Sequence, residues 1–152
     1  MMANARKDEI SRALGKVRGK IPNHVTLIVV TKTFPVTDLQ YIYELGERNF
    51  GENRDSEGRE KAEFLADDGV KDIVWHFQGG IQSNKLRSIV NWSDYIHSLD
   101  DFDHAKKISS FANSMKKKQN CFIQINLDSV NLDPISRGAH EESNPEIGRA
   151  HV

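Results

Sequence analysis

The chain has 152 residues, with 21 Lys and Arg against 22 Asp and Glu for a formal charge of −1, and it is 38% apolar and 28% charged. That balance argues against a strongly basic nucleic-acid binder, and the composition suits one soluble globular domain. No apolar run approaches the roughly 20 residues of a membrane span, and the polar start from Met1 to Lys7 has no secretory apolar stretch. The single cysteine, Cys121, can form no internal disulfide, so a cytoplasmic protein is expected, without membrane or nucleic-acid partners.

Helix-like and strand-like blocks alternate from near the start to about residue 127, the pattern of an α/β fold. Asp8 to Val17 places Ile10, Leu14 and Val17 at helical spacing. The run Val25 to Thr31 then reads as a strand apolar enough to be buried on both faces of a parallel sheet. Thr37 is the expected cap of a helix whose face is Leu39, Ile42 and Tyr43, and which Gly46 closes. Asn49 to Glu52 is the second strand, Ser56 to Ala66 a charged helix, and Ile73 to Phe77 the third strand. Ser83 is expected to cap a helix through Val90, and Tyr95 to His97 is a short fourth strand. Ser98 or Asp100 should cap a helix with Phe102, Ala105, Ile108, Phe111, Ala112 and Met115 on one face, and Cys121 to Leu127 is the fifth strand. Residues 128–152 contain Pro134 and Pro145 and have no period, so a loop or tail is expected.

In parallel α/β folds, function collects at the carboxyl ends of the strands. The polar residues here fall at those ends: Lys32, Glu52-Asn53-Arg54, Gln78 to Lys85, His97-Ser98 and Asn126. A lysine at the end of a buried strand is a candidate nucleophile, able to form an imine, although most lysines stay solvated. Asn53 suits hydrogen bonding to a ligand, whereas Glu52 reads as a salt-bridge or loop partner. The block 79–85, with Gln82 and Asn84, could hold an anion if a helix N-terminus follows it. His76 and His97 read as satisfied core histidines, with no spacing for a metal, and Trp75 and Trp92 as packing residues. Lys116 to Lys118 read as a solvated helix end, and Cys121 as buried.

Four stretches in order make a resemblance specific: Val30-Thr31-Lys32-Thr33-Phe34-Pro35, Phe50-Gly51-Glu52-Asn53-Arg54, Trp75-His76-Phe77-Gln78-Gly79 through Gln82-Ser83-Asn84-Lys85, and Ile96-His97-Ser98-Leu99-Asp100. Over residues 4 to 127 the chain resembles the pyridoxal phosphate homeostasis family, which is similar to the N-terminal domain of alanine racemase, a fold-type III barrel. The resemblance implies a (β/α)8 barrel of which the first five βα units are present. It also implies that Lys32 holds pyridoxal 5′-phosphate (PLP) as an internal aldimine, with Asn53 near the ring and Ser98, Gln82 and Asn84 as further cofactor-binding residues. The family is expected to buffer PLP and hand it to apo enzymes that depend on it, without turnover, and a complete protein would be a monomer. The alternatives are a PLP-dependent racemase-like enzyme, or a small flavodoxin-like module that binds an anion at Gly79-Gly80.

The sequence departs from the family pattern. Gln78 and Gly80 replace an apolar residue and a histidine, and nothing matches the glycine and serine/threonine phosphate cluster or the arginine that the family's later strands supply. We therefore divide the chain into a partial barrel, 1–134, and an irregular tail, 135–152. The last seven residues, Glu146 to Val152, are those encoded by GAG ATC GGA AGA GCA CAC GTC, which resembles a short-read sequencing adapter. A truncated reading frame with adapter read-through is expected, and a five-strand fragment of a barrel should be marginally stable and bind PLP weakly.

Overall fold

The computed structural model describes residues 2–126. The expected tail, Leu127 and the adapter-like ending lie outside the described residues. The elements alternate as α1 (Met2–Arg18), β1 (Val29–Val30), α2 (Val36–Glu44), β2 (Asn49–Glu52), α3 (Asp55–Asp67), β3 (Val74–Phe77), α4 (Leu86–Trp92), β4 (Tyr95–Leu99), α5 (Phe102–Ser114) and β5 (Asn120–Ile123). All strand pairs are parallel and the spatial order is β1-β2-β3-β4-β5. A flavodoxin-like sheet has the order 2-1-3-4-5. The sequential order therefore sets that alternative aside and fits a barrel wall.

The core lies between the sheet and the helices. Phe50, Trp75, Phe77 and Ile96 meet Leu39, Leu65, Leu86, Ile89, Val90, Trp92, Ile108 and Ala112 there. Trp92 is the centre of this layer. Its ring stands edge-on to Trp75 and Phe77, at 6.2 and 6.1 Å, and its indole N–H donates to Asp55 Oδ1 at 3.0 Å. Gly58 lets α3 approach, because a Cβ there would lie 2.5 Å from the Trp92 ring.

Several local expectations are corrected. The apolar run Val25 to Thr31 contributes only Val29–Val30 as strand, paired to Phe50 and Gly51. Since β2 begins at Asn49, opposite Ile28 in the register, Val25 to Leu27 pair with no strand among the described residues, and Val25 and Val30 are each 40% exposed rather than buried on both faces. Helix α2 is capped by Pro35, which puts Thr37 inside the first turn. Its face of Leu39, Ile42 and Tyr43 and its closure at Gly46, where φ is +102°, follow expectation. Helix α4 starts at Leu86, three residues after Ser83. Helix α5 is capped by Asp101, whose side chain accepts from the N–H groups of Asp103 and His104, and its Phe102 points outward, 75% exposed. Lys117 is not a solvated end, for its ammonium donates to the carbonyls of Val90 and Ser93 at 2.7 and 2.8 Å. Cys121 is half-buried.

Helix α1 is longer than its periodic segment and lies on α2 with Val17 exposed. Charge fastens it: Arg6 pairs with buried Asp38 at 2.6 Å, and Arg18 pairs with buried Glu47. Such pairs matter more here than exposed ones because one partner of each has lost its water.

Candidate functional site

The parallel register brings the polar strand ends together. Val30, Gly51, His76 and Tyr95 pair in one row across four strands. Two residues further along each chain stand Lys32, Asn53, Gln78 and His97. Lys32, Asn53 and Gln78 thus lie just past the ends of β1, β2 and β3 at the carboxyl edge of the sheet, with His97 inside β4.

Lys32 is half-buried and makes no hydrogen bond or ion pair among the described residues. Its neighbours in the chain, by contrast, are held on both sides. Thr31 Oγ1 donates to Glu52 Oε1 at 2.7 Å, and the Thr31 carbonyl accepts from Lys61 Nζ at 2.7 Å and from the Phe34 N–H at 3.1 Å. The Thr33 N–H donates to Glu57 Oε1 at 2.6 Å. Lys61 closes the network by also donating to Glu52 Oε1 and Glu57 Oε1, both at 2.7 Å, which uses all three ammonium protons. Thr33 adopts φ +67°, a left-handed conformation that a β-branched residue rarely takes and that costs on the order of 1–3 kcal/mol.

This ionic cluster is buried: Glu52 is 0% and Lys61 8% exposed. Burial raises the Glu52 carboxyl above its ordinary value, and the hydrogen bonds from Lys61 and Thr31 only partly offset that. Burial pushes Glu57 the same way, but hydrogen bonds from Lys61 and the Thr33 N–H outweigh it and hold the carboxyl low. Glu52 Oε2 has no partner among the described residues. The salt-bridge reading of Glu52 is met. Lys61 and Glu57 were not singled out from the sequence, although a signal existed: Gly58, Lys61 and Leu65 form the buried face of α3, and a lysine on such a face needs a partner.

Asn53, Gly79 and Ser98 meet at one point. A Cβ on Gly79 would lie 2.0 Å from the Asn53 carbonyl oxygen, so only glycine lets the two backbones come this close. Ser98 is buried, and its hydroxyl donates to the Gly79 carbonyl at 2.5 Å. Gln82 and Asn84 are exposed in the loop between β3 and α4. That loop is not capped by Ser83, whose hydroxyl instead meets His104 Nε2 on α5 at 2.9 Å. The helix N-terminus expected after the block 79–85 is present at Leu86, with Lys85 in place of Ser83 at the cap position and without a side-chain cap.

On the face of the sheet away from the core, His76 Nε2 lies 3.0 Å from Asn49 Oδ1 and His76 Nδ1 lies 2.9 Å from His97 Nε2. With Asn49 Oδ1 accepting, His76 carries its proton on Nε2 and accepts at Nδ1 from His97. Burial and the neighbouring His97 lower the His76 pKa from 6.5 to about 4, and burial lowers His97 as well. Tyr95 stacks on His76 at 4.9 Å, and Phe122 lies against His97 at 4.6 Å. His76 has a partner on each ring nitrogen and His97 on Nε2, in keeping with packed rather than metal-ligating histidines. No group of three or more His, Cys, Asp or Glu that could hold a metal occurs among the described residues.

A sequentially ordered parallel sheet with polar residues gathered at one carboxyl edge defines the class: five parallel strands, the first four each followed by a helix, of a TIM-barrel-like fold that matches a protein of known structure solved with and without PLP. PipY of Synechococcus elongatus, solved with PLP bound, superposes with a TM-score of 0.74 at 34% identity, over 79% of this chain and 56% of that one. The chain's curated homologues are pyridoxal phosphate homeostasis proteins. That of Escherichia coli K12 is 34% identical over 125 residues, 82% of this chain and 53% of its own length. That of Synechocystis is 40% identical over 107 residues, 70% of this chain and 48% of its own. The chain spans about half the length of the curated relatives it matches. No protein-family model matches it.

Proposed function

We propose that the chain binds pyridoxal 5′-phosphate through Lys32 and serves PLP homeostasis rather than substrate turnover. The observation that carries this reading is the amine of Lys32, which has no partner among the described residues and stands at the carboxyl edge in a chain similar to a PLP-bound homologue.

The residues present fit such a group. An unpaired amine is what an aldehyde requires, and the Lys32 amine has no ion pair to break before it reacts. Asn53 offers a side-chain amide that makes no hydrogen bond among the described residues, and it directly follows β2 at the same carboxyl edge of the sheet. When bound, PLP supplies an aldehyde that condenses with amines and a ring that withdraws electrons. In this proposal Lys32 anchors the cofactor, Asn53 orients the ring, and Ser98 holds the Gly79 carbonyl and with it the backbone beside Asn53. Gln82 and Asn84 are proposed to donate hydrogen bonds to the cofactor from the exposed loop.

The proposed setting is the cytoplasm, with apo enzymes that use PLP as recipients and the complete protein acting as a monomer. No described helix is long and apolar enough to cross a membrane. The test is a PLP titration followed by visible absorbance. The chain should develop an absorbance that Lys32→Ala lacks, with weak affinity, and it should not racemise amino acids. Absorbance that persists in Lys32→Ala would remove Lys32 from the role.

A further inference from the structure

We propose that Lys61, Glu52 and Glu57 form a positioning clamp for Lys32, gripping the residue on each side of it and leaving its own side chain free to react. This deepens the reading of Lys32 as the PLP anchor and rests on it.

Three observations converge. The first is selectivity of contact: Thr31 is held by its hydroxyl and its carbonyl, Thr33 by its N–H, and Lys32 between them by nothing among the described residues. The second is strain. Thr33 sits at φ +67°, and such a conformation persists only where its surroundings over-determine it, here through the hydrogen bond to Glu57. The third is the cluster's poor rationale as a source of stability. Apolar residues of similar volume usually serve a core at least as well as a buried ion cluster, and this one leaves Glu52 Oε2 without a partner among the described residues.

The consequence is preorganisation. Lys61 spans from α3 to the Thr31 carbonyl, so the turn after β1 is referenced to α3 and not only to the two-residue strand before it. A two-residue strand alone would let the Lys32 backbone wander, and misplacement of a reacting group by about 1 Å slows a reaction by roughly two orders of magnitude. Lys61, Glu52 and Glu57 contact Thr31, Thr33 and one another rather than the Lys32 amine. They are positioning residues.

The test uses the full chain with PLP as the probe, and measures how fast a borohydride-trapped pyridoxyl adduct forms at residue 32 below saturation. Glu57→Ala removes the tether to the Thr33 N–H while Lys61 still neutralises Glu52, so folding is not endangered. We expect Glu57→Ala to slow trapping about tenfold at nearly unchanged melting temperature, and Glu57→Gln, which keeps the acceptor oxygen, to stay within about twofold of the parent chain. Amide hydrogen exchange at Thr33 should accelerate in Glu57→Ala without any PLP present. Equal trapping rates in the parent and Glu57→Ala would overturn the clamp and leave the Lys32 reading standing. Faster exchange at Thr33, with no adduct at residue 32 even in the parent, would overturn the Lys32 reading and the positioning role with it.

Discussion

Lys61 on α3 donates to the main-chain oxygen of Thr31 at 2.7 Å, thirty residues away in the chain. The same ammonium neutralises Glu52, which is wholly buried. Lys61→Met is therefore expected to destabilise the fold by about 3–5 kcal/mol, because it leaves a buried carboxylate without its countercharge. Adding Glu52→Gln should recover part of the loss. Urea unfolding of the single and double variants measures both, and a single variant as stable as the parent would contradict the cluster's burial.

Gly79→Ala is expected to cost about 1–3 kcal/mol and to shift Asn53, since the added methyl would press on the backbone oxygen 2.0 Å away rather than on a movable side chain. Thermal unfolding reads the stability cost. If PLP affinity falls with it, the Asn53–Gly79 approach is part of the binding edge. Unchanged stability would show that the two backbones can separate freely.

Stability should fall as the solution is acidified from pH 6.5 towards 4. His76 has its folded pKa lowered to about 4 by burial and by His97, so the unfolded chain binds a proton in that window and the folded chain does not. The contribution is present above the unfolded value and is lost as pH falls through the folded one, to an upper limit of about 3 kcal/mol. Glu52 works with the opposite sign, since a raised carboxyl pKa favours the folded state at low pH. His76→Gln isolates the histidine term: its unfolding free energy should depend less on pH between 4 and 6.5 than that of the parent chain. An unchanged slope would mean that His76 is solvated.

The sequence made the order of elements readable because periodicity and Gly or Pro punctuation are local signals. Leu39 and Ile108 declared their helix faces, and Gly46 its turn. Details that depend on a neighbour were not readable. The strand run from Val25 failed for want of paired backbone before Asn49, and Asp101 became a cap where Ser98 instead reached the Gly79 carbonyl. Of the candidate site, Lys32 and Asn53 were legible by their place after strands. The clamp was not, since its members come from β2, α3 and the loop after β1, and only three-dimensional packing joins them.

The far edge of the described sheet should make the 152-residue chain prone to association. Phe122, Ile123 and Ile125 are 52%, 77% and 75% exposed, on or just beyond a strand paired among the described residues only to β4. Light scattering should grow with concentration, and Ile123→Lys should reduce it. A chain that stays monodisperse at high concentration would contradict this.

The most direct test of the central claim is to incubate the chain with PLP, reduce with borohydride, digest, and locate the pyridoxyl group by mass spectrometry. A single modified position, Lys32, is expected, with no comparable adduct in Lys32→Ala. Modification spread over exposed lysines with residue 32 no more reactive than the rest would contradict it.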